Sequence, residues 1–110
     1  MLVYIREAHA LDSRSPMAFG LIEDPINDKE RQAVAQTCMD KLALDPIRAV
    51  IDRVDDKINQ AYQGGPDRLY LVSKDGKIAF AGERGPAGFK PDELEVAIKA
   101  EIEKLRQADK

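Results

Sequence analysis

The chain has 110 residues, 44% hydrophobic and 34% charged, with a formal net charge of −3. That length suits a single domain with its own core but little surplus, and the composition is that of a soluble globular protein. Interspersed charges of both signs exclude the basic footprint of a nucleic-acid binder or a membrane-surface patch; 5% aromatics without Trp leave no stacking platform for bases.

One cysteine, Cys38, excludes an internal disulfide and a CxxC redox pair. With His9 the single histidine, the sequence argues against a zinc site. No stretch approaches the roughly 20 apolar residues that span a bilayer. The opening Met1-Leu2-Val3-Tyr4-Ile5 meets a charge too soon, at Arg6, to read as a signal peptide. A cytoplasmic location is the default expectation.

In chain order, residues 2–6 read as a strand, with Glu7-Ala8-His9 at its C-terminal end, where ligands sit in open α/β sheets. Residues 10–26 contain Asp12, Ser13, Ser15, Pro16, Gly20, Asp24 and Pro25 without sustained period and read as a long loop, a type that is often functional. Asn27 caps a helix running to about Leu42, with Glu30 placed to reciprocate. Val34, Ala35, Cys38, Met39 and Leu42 form its inner face, so Cys38 points inward. Asp45-Pro46 stops it. Residues 48–51 make a short strand and residues 52–62 a second helix, closed by Gly64-Gly65.

Leu69-Tyr70-Leu71-Val72 is a continuous apolar run, expected to be covered on both faces. Asp75-Gly76 in the turn Lys74-Asp75-Gly76-Lys77 signals a hairpin with a primed turn, both residues tolerating positive φ. The partner run alternates, with Ile78 and Phe80 on one face. The last helix starts near Pro91-Asp92, complemented by Glu93 and Glu95, and buries Leu94, Ala97, Ile98, Ile102 and Leu105. The order β, loop, α, β, α, β, β, α implies one α/β domain with a mixed sheet and helices on both faces.

Three stretches together carry a resemblance: Val3-Tyr4-Ile5-Arg6-Glu7-Ala8-His9, Pro66-Asp67-Arg68-Leu69-Tyr70 and Gly82-Glu83-Arg84-Gly85-Pro86-Ala87-Gly88-Phe89. In combination they resemble the iodothyronine deiodinases and their bacterial deiodinase-like relatives. The resemblance implies a thioredoxin-like, peroxiredoxin-related three-layer α/β/α fold across residues 1–110. In that family the catalytic selenocysteine or cysteine lies on a turn between the first core strand and the first helix, upstream of the stretch matching residues 2–9. The expectation is therefore a partial thioredoxin-like domain lacking its first β-α unit. Cys38, with no helix N-terminus or cationic neighbour expected beside it, does not match the nucleophile. Without the first strand, the strands matching residues 2–6 and 69–73 each face an empty slot. They pair directly, or another chain fills the gap, or the sequence is a fragment; the last is favoured, since Met1 abuts a strand without a polar lead-in.

The resemblance also assigns roles. His9 matches a histidine that faces substrate and bonds the iodothyronine phenol; otherwise it is a loop histidine with no task. Asp67 matches a proton-relay glutamate one methylene longer, and equally suits pairing with Arg68 or capping the turn. Arg84 matches an arginine holding the substrate's amino-acid end, against a solvated loop arginine. Pro66 matches the cis-proline beside the active site. Tyr62 and Tyr70 read as core aromatics with bonded hydroxyls, the run Asp52, Asp55, Asp56, Lys57 as a capped and solvated helix start, and Gly82, Gly85 and Gly88 form no phosphate loop. Ser13-Arg14 stands where vertebrate deiodinases carry Gly-Trp, and a further family histidine has no counterpart near Glu23-Asp24, so the substrate stays open.

Two functions follow. In the first, this is the C-terminal portion of a thiol or selenol redox enzyme acting on an iodine, peroxide or disulfide. It has no bound cofactor; a small-molecule substrate and an external thiol reductant are its partners. In the second, it is a non-catalytic thioredoxin-like module that binds a partner or forms a homodimer through unpaired strand edges.

Overall fold

The first two strands are too short to stand alone and are joined by a helix. β1 (Leu2–Tyr4) and β2 (Ala49–Ile51) run parallel, with Val3 opposite Val50. A parallel pair needs a long crossover, and α1 (Asp28–Lys41) supplies it, packing on β2. The computed structural model describes residues 1–7, 10, 12 and 22–109. Much of the long loop expected over residues 10–26 lies outside them.

α1 begins where the sequence places it. Asn27 is the N-cap, its side chain accepting from the Glu30 N–H at 2.9 Å. Glu30 returns the contact one residue further out, accepting from the Ile26 N–H at 3.1 Å. Ala35 is buried and Val34, Cys38 and Met39 half-buried, so the expected inner face is real, and Cys38 sits on it. Leu42 is the exception, exposed as the C-cap.

The second helix is shorter than its sequence pattern. α2 spans Lys57–Tyr62, and residues 52–56 form a turn closed by Asp56 in the left-handed region. The expectation of a solvated helix start at Asp52 is corrected here: Asp52 is 1% exposed and lies outside the helix. Its carboxylate reaches forward to accept from the N–H groups of Ile58 (3.1 Å) and Asn59 (2.9 Å). Those donors are among the four that a helix start leaves unpaired, so a side chain five residues upstream acts as the cap.

In the rest of the chain, β3 (Tyr70–Val72) and β4 (Ile78–Ala81) form an antiparallel hairpin against which α3 (Pro91–Ala108) packs. The turn differs from the primed type. Among the described residues Gly76 is the only glycine with positive φ, at 83°, and Asp75 stays in the ordinary region. Ser73 donates from its N–H to the Lys77 carbonyl and accepts from Gly76 N–H, closing a three-residue loop. The Ser73 hydroxyl bonds the Asp75 carboxylate and holds its pKa below the usual carboxylate range. A register shift after Leu71 leaves Ala79 as the extra residue of a bulge.

The chain is α/β, as expected, and divides into two compact units, Met1–Pro66 and Asp67–Lys110. Among the described residues each unit holds one two-stranded sheet, parallel in the first and antiparallel in the second. Val72 in β3 is 57% exposed, so the double-sided cover expected from the apolar run 69–72 fails at its end.

Candidate functional site

In the first unit the chemistry gathers where β1 ends. Tyr4 is half-buried, and its phenol donates to the Glu7 carboxylate. Burial pushes the Tyr4 hydroxyl well above its ordinary value, the bond to Glu7 adds to the rise, and the charge of Arg31 opposes it. The oxygen therefore stays protonated throughout the neutral range. Arg6 pairs with Asp24 at 2.7 Å, and the Asp24 N–H donates to the Asp12 carboxylate at 2.8 Å.

The exit from α2 reaches the same strand end. Asn59 accepts from the Gly65 N–H at 2.9 Å, and a methyl added to Gly64 or Gly65 would touch the Ile5 side chain, at 3.7 and 3.9 Å. The Gly65–Pro66 bond that follows is cis. Pro66 thus has the conformation that its resemblance implied.

Beneath this corner lies Arg31, 2% exposed on α1. One guanidinium nitrogen, Nη1, donates to the carbonyls of Asp52 (3.2 Å) and Arg53 (2.8 Å) and pairs with Asp56 at 3.0 Å. It ties the helix to the β2–α2 connection. The apolar stripe of α1 held the signal, since Arg31 stands four residues before Ala35 and seven before Cys38. A cation at that register must find acceptors inside.

In the second unit, Asp67 and Arg84 are brought together through the backbone. The Gly85 N–H donates to the Asp67 carbonyl at 2.9 Å, setting half-buried Asp67 against the residue that follows exposed Arg84. The Gly85–Pro86 bond is also cis, a feature absent from the sequence reading.

Of the four residues the sequence singles out, Pro66 closes the first unit, Asp67 and Arg84 share a corner of the second, and His9 lies outside the described residues. Tyr4 and Glu7 are additions. Their signal was the spacing of a phenol and a carboxylate three residues apart across a strand exit. Cys38 occupies the C-terminal half of α1, opposite the end where helices support anions. Among the described residues, no group of three or more His, Cys, Asp or Glu could hold a metal ion, and no helix is long and apolar enough to cross a membrane.

The first unit of this small α/β protein thus sets a protonated phenol and a carboxylate where β1 ends. The iodothyronine deiodinase family model matches residues 1–105. The chain is 32% identical over 94 residues to a type I iodothyronine deiodinase of Xenopus laevis and 34% identical over 100 residues to a human type II iodothyronine deiodinase, covering 86% of this chain and 36% of each relative. A bovine type II enzyme is 30% identical over 114 aligned positions, 99% of this chain and 42% of the relative. The chain belongs to the iodothyronine deiodinase family, and it spans about two fifths or less of the length of these relatives.

Proposed function

We propose that this chain is the C-terminal portion of a deiodinase-like thiol or selenol redox enzyme with a thioredoxin-like α/β/α fold, whose nucleophile belongs to a preceding segment. The observation that supports it most is the family match over residues 1–105, in a chain that covers 36% of two of its relatives.

In this reading a Cys or selenocysteine takes the heteroatom from a small-molecule substrate, a protein acid supplies the proton to the leaving carbon or oxygen, and an external thiol attacks the modified nucleophile. The first external thiol displaces the heteroatom as iodide or hydroxide and leaves a mixed disulfide or selenenyl sulfide; a second thiol frees the nucleophile, so that two thiols supply the two electrons and depart as one disulfide. His9 and Asp67 serve proton transfer, and Arg84 and Pro66 line the substrate face. Tyr4 suits a neighbouring role because burial and Glu7 keep its proton in place. The location proposed is cytoplasmic.

The test joins residues 1–110 to their upstream coding sequence and follows thiol-dependent iodide release. Turnover is expected in the longer protein, lost when its upstream Cys or selenocysteine is replaced, and raised in KM more than lowered in kcat by Arg84→Ala. The 110-residue chain alone is expected to be inactive. Turnover by that chain which Cys38→Ser abolishes would overturn the reading, as would a gene with no upstream thiol or selenol.

A second reading, a non-catalytic module that binds a partner or a second copy through strand edges, draws on the two-stranded sheets and on Val72 and Ile78, 57% and 53% exposed. Light scattering across concentrations separates the two, a persistent monomer counting against homodimer formation.

A further inference from the structure

We infer that Gly85 and Gly88 are positioning residues for Asp67 and Arg84, the bare Cα of Gly85 forming a seat for the Asp67 carboxylate. Two glycines in one short loop are usually explained by turns that need positive φ. That explanation fails here, since among the described residues Gly76 alone of the glycines has positive φ. Neither Gly85 nor Gly88 has the positive φ that reserves a position for glycine; at both, an added Cβ would force neighbouring atoms to move.

At Gly85, which is buried, a Cβ would overlap the Asp67 carboxyl carbon and both of its oxygens. The overlapping atoms are the chemical end of the side chain, so glycine at 85 decides where that carboxylate sits. The bond from Gly85 N–H to the Asp67 carbonyl, 2.9 Å, holds the two residues at this close range. At Gly88 a Cβ would stand 2.5 Å from the Glu83 carbonyl carbon and 2.6 Å from the Arg84 carbonyl oxygen, while the Gly88 N–H donates to that oxygen at 3.0 Å. Gly88 thereby fixes the backbone that presents Arg84. Gly85 is packed on the Asp67 side chain, and Gly88 on Glu83 and the Arg84 carbonyl. At Gly82 the nearest atom to an added Cβ is the Leu69 carbonyl oxygen at 3.0 Å, a hairpin contact with neither Asp67 nor Arg84.

The task given to Asp67 rests on the function proposed above; the seat does not. A double-mutant cycle on the 110-residue chain tests it by urea unfolding. Gly85→Ala is expected to lower the folding constant about tenfold or more, the scale of an overpacked contact. In an Asp67→Ala background, which lacks the overlapping atoms, that penalty should fall to about twofold, the limit of ordinary additivity. Asp67→Asn keeps the shape and should keep the penalty. In the folded variant the 13C signal of the Asp67 carboxyl should shift in Gly85→Ala and stay put in Gly82→Ala, a readout that general loosening would not reproduce. A full penalty persisting in Asp67→Ala, or an Asp67 carboxyl signal unmoved by Gly85→Ala, overturns the inference. Should Gly85→Ala fail to fold, recovery in Gly85→Ala/Asp67→Ala supports the seat and continued failure refutes it. An upstream-extended enzyme indifferent to Asp67→Ala would remove the catalytic reading and leave the seat standing.

Discussion

The two units are ordered by different forces. Among the described residues of Met1–Pro66, the largest fully buried side chains are Arg31 and Asp52, and the buried apolar residues are the small Ala10, Pro25 and Ala35. Directional polar contacts hold α1, the β2–α2 turn and the start of α2 in register. In Asp67–Lys110 a hairpin and a long helix share apolar contacts that stay half-open: α3 buries no residue fully, and Ile98, Ile102 and Leu105 on its inner stripe are 37–51% exposed. Apolar burial is graded, so losing one contact there costs part of a side chain. A buried guanidinium is all-or-none, because its partners are left stranded in a poor solvent when it goes.

The largest effect should therefore come from Arg31→Ala. Removing one partner of a buried ion pair costs about 3–5 kcal/mol, and here two carbonyls and the Asp56 carboxylate lose their donor together. Chemical denaturation followed by circular dichroism is expected to show the first unit unfolding at lower denaturant while the hairpin and α3 persist. Loss of both units in one step at an unchanged midpoint would break the contrast.

A smaller effect is expected in the second unit from Gly76→Ala. A Cβ at that position meets nothing within 4 Å, so the cost is purely that of φ at +83°, about 1–2 kcal/mol. The thermal midpoint should fall, and the amide of Ser73 should exchange faster, since the turn closes on its bond to Lys77. If Gly76→Ala were neutral, the turn would be adopting another form in solution.

The mildest test uses pH and Tyr4. Burial and the Glu7 bond raise its folded pKa above the ordinary phenol value of about 10. A raised value contributes stability that is complete below the unfolded pKa and is lost as pH rises through the folded one. Stability of the first unit should thus fall as pH climbs above about 10, and Tyr4→Phe should flatten that fall. Denaturation midpoints measured at intervals through the alkaline range check it, and identical slopes in the two proteins would count against a buried phenol.

Local signals predicted well where one residue type does one local job. Asn27 and Glu30 announced the start of α1, Pro91 with its acids announced α3, and Asp75-Gly76 announced the hairpin. The turn class was missed because Asp75 bonds Ser73 and keeps ordinary backbone angles, leaving positive φ to Gly76. The extent of α2 was missed because Asp52 reads like a surface cap until its carboxylate is seen bonding Ile58 and Asn59 from outside the helix. Tyr4 was hidden in plain sight within a strand.

By itself, the sequence determined the element order, the cap and turn positions and the kinship with the deiodinases. Each of these depends on short-range spacing or on motifs that survive as strings of letters. Only the tertiary structure decided that Arg31 and Asp52 are interior, that Gly65–Pro66 and Gly85–Pro86 are cis, and that Asp67 rests on Gly85. Those facts depend on atoms far apart in sequence sharing space, where the destination of a charge or a missing Cβ is set by what stands opposite it.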